Sequence, residues 1–188
     1  MSTWSAAARF ASNFFRHPKM LGALVPSSKI LVNDVLSQVE WDRAKVVVEY
    51  GPGVGTLTQE MLNRMRPDAV LVALEVNPSF LEFLGEEISD PRFRLVHESA
   101  KSVRQVLSGL GLPNADYIIS GIPFSNLPDL LRHDIAQESR HALQPDGAFL
   151  VYQYTRTVLP YLESNFGSVQ QNFQLRNIFP AHIFYCTL

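Results

Sequence analysis

Between positions 44 and 155, apolar residues recur in short, nearly continuous runs, each followed by a stretch with helical spacing. The runs Lys45–Tyr50, Ala69–Glu75, Arg92–His97, Asp116–Ser120 and Gly147–Thr155 predict five strands. Helices are predicted over Thr56–Met65, from Pro78 to about Ile88, near Ser102–Ser108, over Leu127–Leu143 and near Val158–Asn165. Asn77-Pro78 reads as an N-cap followed by proline at the first helical position. Gln170–Phe179 and Ala181–Thr187 predict two further strands around a turn at Pro180. Runs rich in Val, Ile and Leu, with helices between them, imply a mostly parallel sheet covered on both faces. The closing pair, with no helix between its strands, implies one antiparallel strand. The pattern predicts an α/β, Rossmann-like fold with its ligands at the carboxyl ends of the strands.

Two helices are expected ahead of this unit. Ser27 or Ser28 caps the one running to about Val39. In the earlier one, residues 3–16, Trp4, Ala7, Ala8, Ala11, Phe14 and Phe15 form a single apolar stripe. Ser5, Arg9, Ser12, Asn13 and Arg16 cover the other side, and His17-Pro18 ends the helix. Residues 1–40 thus read as N-terminal helices and 41–188 as a ligand-binding catalytic domain, effectively one domain together.

Composition narrows the picture. The 188 residues are 46% hydrophobic and 18% charged, which suits a globular chain. The net charge of −2 gives no sign of a basic nucleic-acid face, and no nucleic-acid partner is expected. The charge is uneven. Residues 1–33 hold Arg9, Arg16, Lys19 and Lys29 and no acid, so +4 there leaves −6 for the rest. Such asymmetry points to contact with an anionic surface. The single cysteine, Cys186, allows no internal disulfide or Cys-based metal cluster and fits a reducing compartment; no metal is expected. No signal peptide and no bilayer-spanning segment are expected.

The candidate chemistry starts where the first strand runs into Gly51, Gly53 and Gly55. The spacing is G-x-G-x-G, so Thr56 stands where a dinucleotide loop wants its third glycine, and no lysine is present to serve a phosphate. Glu49, just ahead, would repel a pyrophosphate. It suits a phosphate-free cofactor with cationic ends: S-adenosylmethionine, whose product form is S-adenosylhomocysteine. Glu75, 24 residues past Gly51, can accept both ribose hydroxyls. Glu98, after the third strand, can accept from the adenine amino group. The expected cofactor set is Glu49, Tyr50, Gly51, Gly53, Gly55, Thr56, Glu75, Val76, Glu98, Ser99 and Ser120.

The stretch V-V-E-Y-G-P-G-V-G-T (47–56), with A-L-E-V-N (73–77), resembles the first two motifs of class I S-adenosylmethionine-dependent methyltransferases. The resemblance implies a seven-stranded sheet with the last strand antiparallel. S-G-I-P-F-S-N-L-P (120–128) is similar to the N-L-P-Y element of rRNA adenine dimethyltransferases. In those enzymes an Asn side chain and the Pro carbonyl hold an exocyclic amine. Gly121 stands in place of that Asn, and their additional helical domain is not expected here. Phe14 to Ser28, the glycine loop, S-G-I-P-F and Gln153 to Thr155 together resemble bacterial phospholipid N-methyltransferases, and ornithine-lipid N-methyltransferases would look much the same.

That resemblance implies stepwise methylation of the amine of phosphatidylethanolamine towards phosphatidylcholine. The alternatives are an ornithine-lipid or RNA-adenine acceptor, or a non-catalytic cofactor-binding module. The protein is expected on the cytoplasmic side, held peripherally at the inner face of the membrane through residues 3–19, as a monomer. The aromatic-and-basic helix suits an interfacial position, but it equally suits a lid over the cofactor site. A cationic product favours aromatic faces, for which Phe124, Tyr152 and Tyr154 are candidates; on one strand the two tyrosines would share a face. The amine must lose a proton before transfer. A carbonyl of the Ile122-Pro123 turn, Tyr50, a strand-five tyrosine or water could take it. Gly121 and Pro123 would line the acceptor, and Arg156, Lys19 or Arg16 would meet the lipid's anionic group.

Overall fold

A computed structural model describes residues 29–175 and 180–188. The expected helix at 3–16, its membrane-facing span 3–19 with Lys19 and Arg16, and the Ser27/Ser28 cap lie outside the described residues. The described chain runs α1 (Lys29–Leu36), β1 (Val46–Tyr50), α2 (Thr56–Arg64), β2 (Val70–Glu75), α3 (Pro78–Glu87) and β3 (Phe93–His97). It continues through a 3-10 turn (Ala100–Ser102) into α4 (Val103–Gly109), then β4 (Ala115–Ser120), a 3-10 turn (Phe124–Asn126) and α5 (Asp129–Ala142). It closes with β5 (Leu143–Gln153), α6 (Leu159–Asn165), β6 (Ser168–Gln174) and β7 (Ala181–Thr187).

The seven strands form one sheet in the order β3-β2-β1-β4-β5-β7-β6. The pairs from β3 through β5 are parallel, whereas β7 runs antiparallel to both β5 and β6. The order reverses between β1 and β4, which opens a crevice at their carboxyl ends.

Two cores flank the sheet. Val47, Leu71, Ile119, Leu150 and Ile183 pack with Leu31, Val35 and Leu36 of α1 and Leu57, Met61 and Leu62 of α2. Val48, Val72, Ile118, Val151 and Phe184 pack with Val103 and Leu107 of α4, Ile135 of α5 and Leu162 of α6. Alternating strand positions thus sort into the two faces, because successive side chains point to opposite sides. Each aliphatic side chain buried this way contributes about 1.5–3 kcal/mol. At α3, Asn77 caps the helix by accepting from the Ser79 N–H at 3.0 Å, with Pro78 in the first turn.

Strand β5 departs from its expected bounds at both ends. It begins at Leu143 rather than Gly147, because side-chain amides hold residues 143–144 extended. Asn114 donates to the carbonyls of His141 and Leu143 (3.3 and 3.0 Å), and Gln144 donates to that of Asn114 (3.0 Å). It stops at Gln153 rather than Thr155, so Tyr154 lies past the strand and the face-sharing expected of Tyr152 and Tyr154 does not hold. Strand β6 spans Ser168–Gln174, starting ahead of the expected Gln170, and positions 176–179 of that expectation lie outside the described residues.

Candidate active site

At the carboxyl edge of the sheet the same alternation assigns each candidate to a face. Glu49 follows Val47, Glu75 follows Leu71 by four, Gly121 follows Ile119 and Tyr152 follows Leu150, all on the α1–α2 side. Tyr50, Ser120 and Gln153 fall on the α4–α5 side.

The glycine loop between β1 and α2 needs its glycines for conformation and for packing. Gly51, Gly53 and Gly55 have φ of 66°, 57° and 78°, in the left-handed region that other residues avoid. A Cβ on Gly51 would stand 2.6 Å from Ile122 Cγ2, and one on Gly55 2.8 Å from Leu84 Cδ2. The loop therefore lies hard against the β4–α5 segment and against α3. Gly55 serves as N-cap of α2, and Thr56 opens that helix half-buried.

Glu49 is 2% exposed. It accepts from the Thr58 hydroxyl at 2.6 Å, and no cationic side chain pairs with it among the described residues. Burial pushes its carboxyl up to about 8; the Thr58 hydrogen bond works against that rise, and the charge of Glu75 adds to it. A carboxyl held protonated in this way is driven to ionise by a cation arriving beside it, whereas a phosphate there would oppose its ionisation further. Glu75 is also buried, and its Oε1 accepts the backbone N–H of Val76 and of Asn77, each at 2.9 Å. Its Oε2 accepts from Gly53 N–H at 3.4 Å, so one carboxylate ties the glycine loop to the start of α3. Val76 stands exposed next to it. Glu98 is exposed and Ser99 half-buried; both sit just beyond β3, whose His97 pairs with Glu75 across the sheet.

The segment after β4 is fixed from beneath. Gln153, buried, donates to the Ile122 carbonyl at 2.6 Å and accepts from the Phe124 N–H at 3.1 Å. The Pro123 carbonyl accepts from Asn126 N–H at 2.9 Å, and the Phe124 carbonyl from the Arg132 guanidinium at 2.9 Å. Phe124, expected to offer an open ring face, is fully buried among the α4–α6 core residues. Tyr50, expected at the cofactor, has its side chain in the same core. Its hydroxyl lies 3.1 Å from Ser139 Oγ, its ring meets Phe149 edge-on, and burial raises its pKa, so it offers no proton acceptor. Its backbone carbonyl accepts from Gly121 N–H at 3.2 Å. Ser120 Oγ is buried with no partner among the described residues.

Tyr152 approaches Gly121 directly. A Cβ at position 121 would overlap its hydroxyl and lie 2.7 Å from its Cζ. Tyr154 is 37% exposed. Arg156 is exposed beside His182, whose pKa is lowered first by burial and then by the Arg156 charge. Sequence reasoning missed Gln153 and Thr58 as site residues. Both carried a signal: each is a polar side chain at a position whose neighbours on the same face are apolar. Among the described residues no group of three or more His, Cys, Asp or Glu could hold a metal ion, and no helix is long and apolar enough to cross a membrane.

The buried, cation-seeking Glu49, the glycine loop without lysine and the backbone-held Glu75 fit S-adenosylmethionine. Comparison with known proteins agrees. Residues 6–103 match the model of the ribosomal RNA adenine dimethylase family. The chain is similar to an ornithine lipid N-methyltransferase of Singulisphaera acidiphila, with 30% identity over 183 residues, 94% of this chain and 93% of that protein. It is also similar to ribosomal RNA small subunit methyltransferase A of Clostridium perfringens, 34% identical over 90 residues, covering 47% of this chain and 30% of that protein. In fold it is similar to the precorrin-6y C5,15-methyltransferase of Geobacter metallireducens. There the TM-score is 0.67 at 19% identity, over 84% of this chain and 87% of the other.

Proposed function

We propose that this chain, which belongs to the ribosomal RNA adenine dimethylase family of S-adenosylmethionine-dependent methyltransferases, delivers its methyl group to the primary amine of a membrane-lipid head group. The observation that carries this reading is the similarity to an ornithine lipid N-methyltransferase along 93% of that protein's length, against 30% for the rRNA enzyme. Gly121 supports it as well. It removes the side chain with which, by the resemblance noted above, adenine dimethylases hold their base.

Glu49, Glu75 and the 51–56 loop would hold S-adenosylmethionine, with Val76, Glu98 and Ser99 beside its nucleoside. When bound, it supplies a methyl group on a sulfonium, open to in-line displacement by a neutral amine. The chain's own part is to orient that amine and exclude water. Gln153 holds the 121–124 segment in one conformation, so the acceptor meets a rigid edge. Arg156, exposed beyond β5, suits the anionic group of the lipid. Ornithine lipid is the first substrate to test because of the relative; phosphatidylethanolamine is the second, favoured by the resemblance of residues 14–28 to phospholipid enzymes. The cationic, aromatic segment 3–19 suits reversible attachment to the cytoplasmic face of an anionic membrane, at about 1 kcal/mol per Lys or Arg near the surface.

Expression in a bacterium that contains both amine lipids, followed by mass spectrometry of the lipid extract, tests the reading. Mono-, di- or trimethylated forms of either lipid, absent with Glu75→Ala, are expected. Unaltered lipids together with newly dimethylated adenine in rRNA would transfer the chain to the RNA branch.

A further inference from the structure

The acceptor amine needs a hydrogen-bond acceptor near the reacting end, and the segment after β4 does not provide one from its own side chains. Gly121 has none, Ile122 and Pro123 are apolar, and Phe124 is core. Within the segment, the Ile122 carbonyl already takes Gln153 at 2.6 Å and the Pro123 carbonyl takes Asn126 N–H. Ser120 faces the opposite side of the sheet from Glu49.

Among the described residues, a polar group does reach this place on the cofactor side. Tyr152 comes from the neighbouring strand β5, on the face shared by Glu49 and Glu75, and its hydroxyl fills the space left by the missing side chain of Gly121. The two positions are complementary: no residue larger than glycine fits at 121 while the tyrosine keeps its place. Thus we propose that Tyr152 Oη is the side-chain acceptor for the lipid amine, and that Gly121 is glycine in order to admit it. A neutral primary amine has two N–H groups and one lone pair. Donating one N–H to Tyr152 fixes the nitrogen and leaves the lone pair free to face the methyl group. A flat base carrying its amine in the ring plane would meet the tyrosine ring in the same space, so the pair also selects for a slender aliphatic amine. This inference rests on the lipid-amine reading above.

The test compares wild type, Tyr152→Phe, Gly121→Ala and the double variant. Each is assayed with labelled S-adenosylmethionine and mixed micelles of ornithine lipid or phosphatidylethanolamine, alongside cofactor affinity and thermal unfolding. Tyr152→Phe is expected to lower kcat by about 10–100-fold, the scale of a lost positioning contact. Cofactor affinity should stay within about twofold. Gly121→Ala should lose a similar factor because its methyl group displaces the hydroxyl, and the double variant should be no worse than either single one. Wild-type kcat in Tyr152→Phe overturns the acceptor assignment and leaves the lipid reading standing. So does a loss of cofactor affinity and stability that matches the loss of rate. Lipid that stays unlabelled with the wild type overturns the lipid reading itself, and this inference with it.

Discussion

A carboxyl group as buried as Glu49, with Glu75 nearby, keeps its proton to a higher pH than one in water, up to about 8 against an ordinary 4.5. The native state therefore binds a proton that the unfolded chain has released across that window. The stabilising contribution is present in full below 4.5 and is lost as pH rises through 8. The slope reaches about 1.4 kcal/mol per pH unit. Denaturant unfolding of the ligand-free protein at a series of pH values should show this decline, and Glu49→Gln should flatten it. Cofactor affinity should run the other way. It rises with pH towards about 8 as the carboxylate forms, and Glu49→Gln should remove that rise too. At Gly51, a methyl group meets both a φ of 66° and Ile122 Cγ2 at 2.6 Å. Gly51→Ala is expected to cost about 1–3 kcal/mol of stability and to weaken cofactor binding, read by unfolding and by titration calorimetry.

At the scale of elements, the site depends on how β5 ends. Gln153, the last residue of β5 and paired with His182, turns its amide under the 122–124 segment. Gln153→Leu leaves the Phe124 N–H and the Ile122 carbonyl without that partner. The expected cost is about 1–3 kcal/mol, together with a fall in kcat larger than any change in cofactor affinity. The same feature marks where the sequence stopped being legible. The seven strands, the helices between them and the antiparallel β7 follow from apolar runs and their spacing, and the G-x-G-x-G loop with its acids stands out as a unit. The alternation that places Tyr152 says nothing about Tyr154, because alternation applies only while a strand continues, and this one ends at Gln153. Nor could the pattern distinguish a Phe124 that packs inward from one that faces a ligand, since both are an aromatic residue after a strand. Tyr50 illustrates the opposite case: its parity with Val48 sets it on the α4–α5 face, a signal that the expected cofactor set left unused.

For the whole molecule, the parallel strands bring Glu49, Glu75, Gly121 and Tyr152 to one edge of the sheet, while the cations Arg9, Arg16 and Lys19 cluster near the start of an otherwise acidic chain. If segment 3–19 carries the protein to its substrate, binding to anionic vesicles should weaken steeply with salt. Replacing those three cations with Ala should cost about 1 kcal/mol each in a sedimentation assay, while cofactor affinity stays as it was. The central claim is that the methyl group goes to a lipid amine. The most direct measurement offers purified protein labelled S-adenosylmethionine together with vesicles of amine lipid and small-subunit rRNA in one reaction, then separates the two. The account predicts label in the lipid fraction, dependent on Tyr152 and Glu75; label in the RNA alone would contradict it.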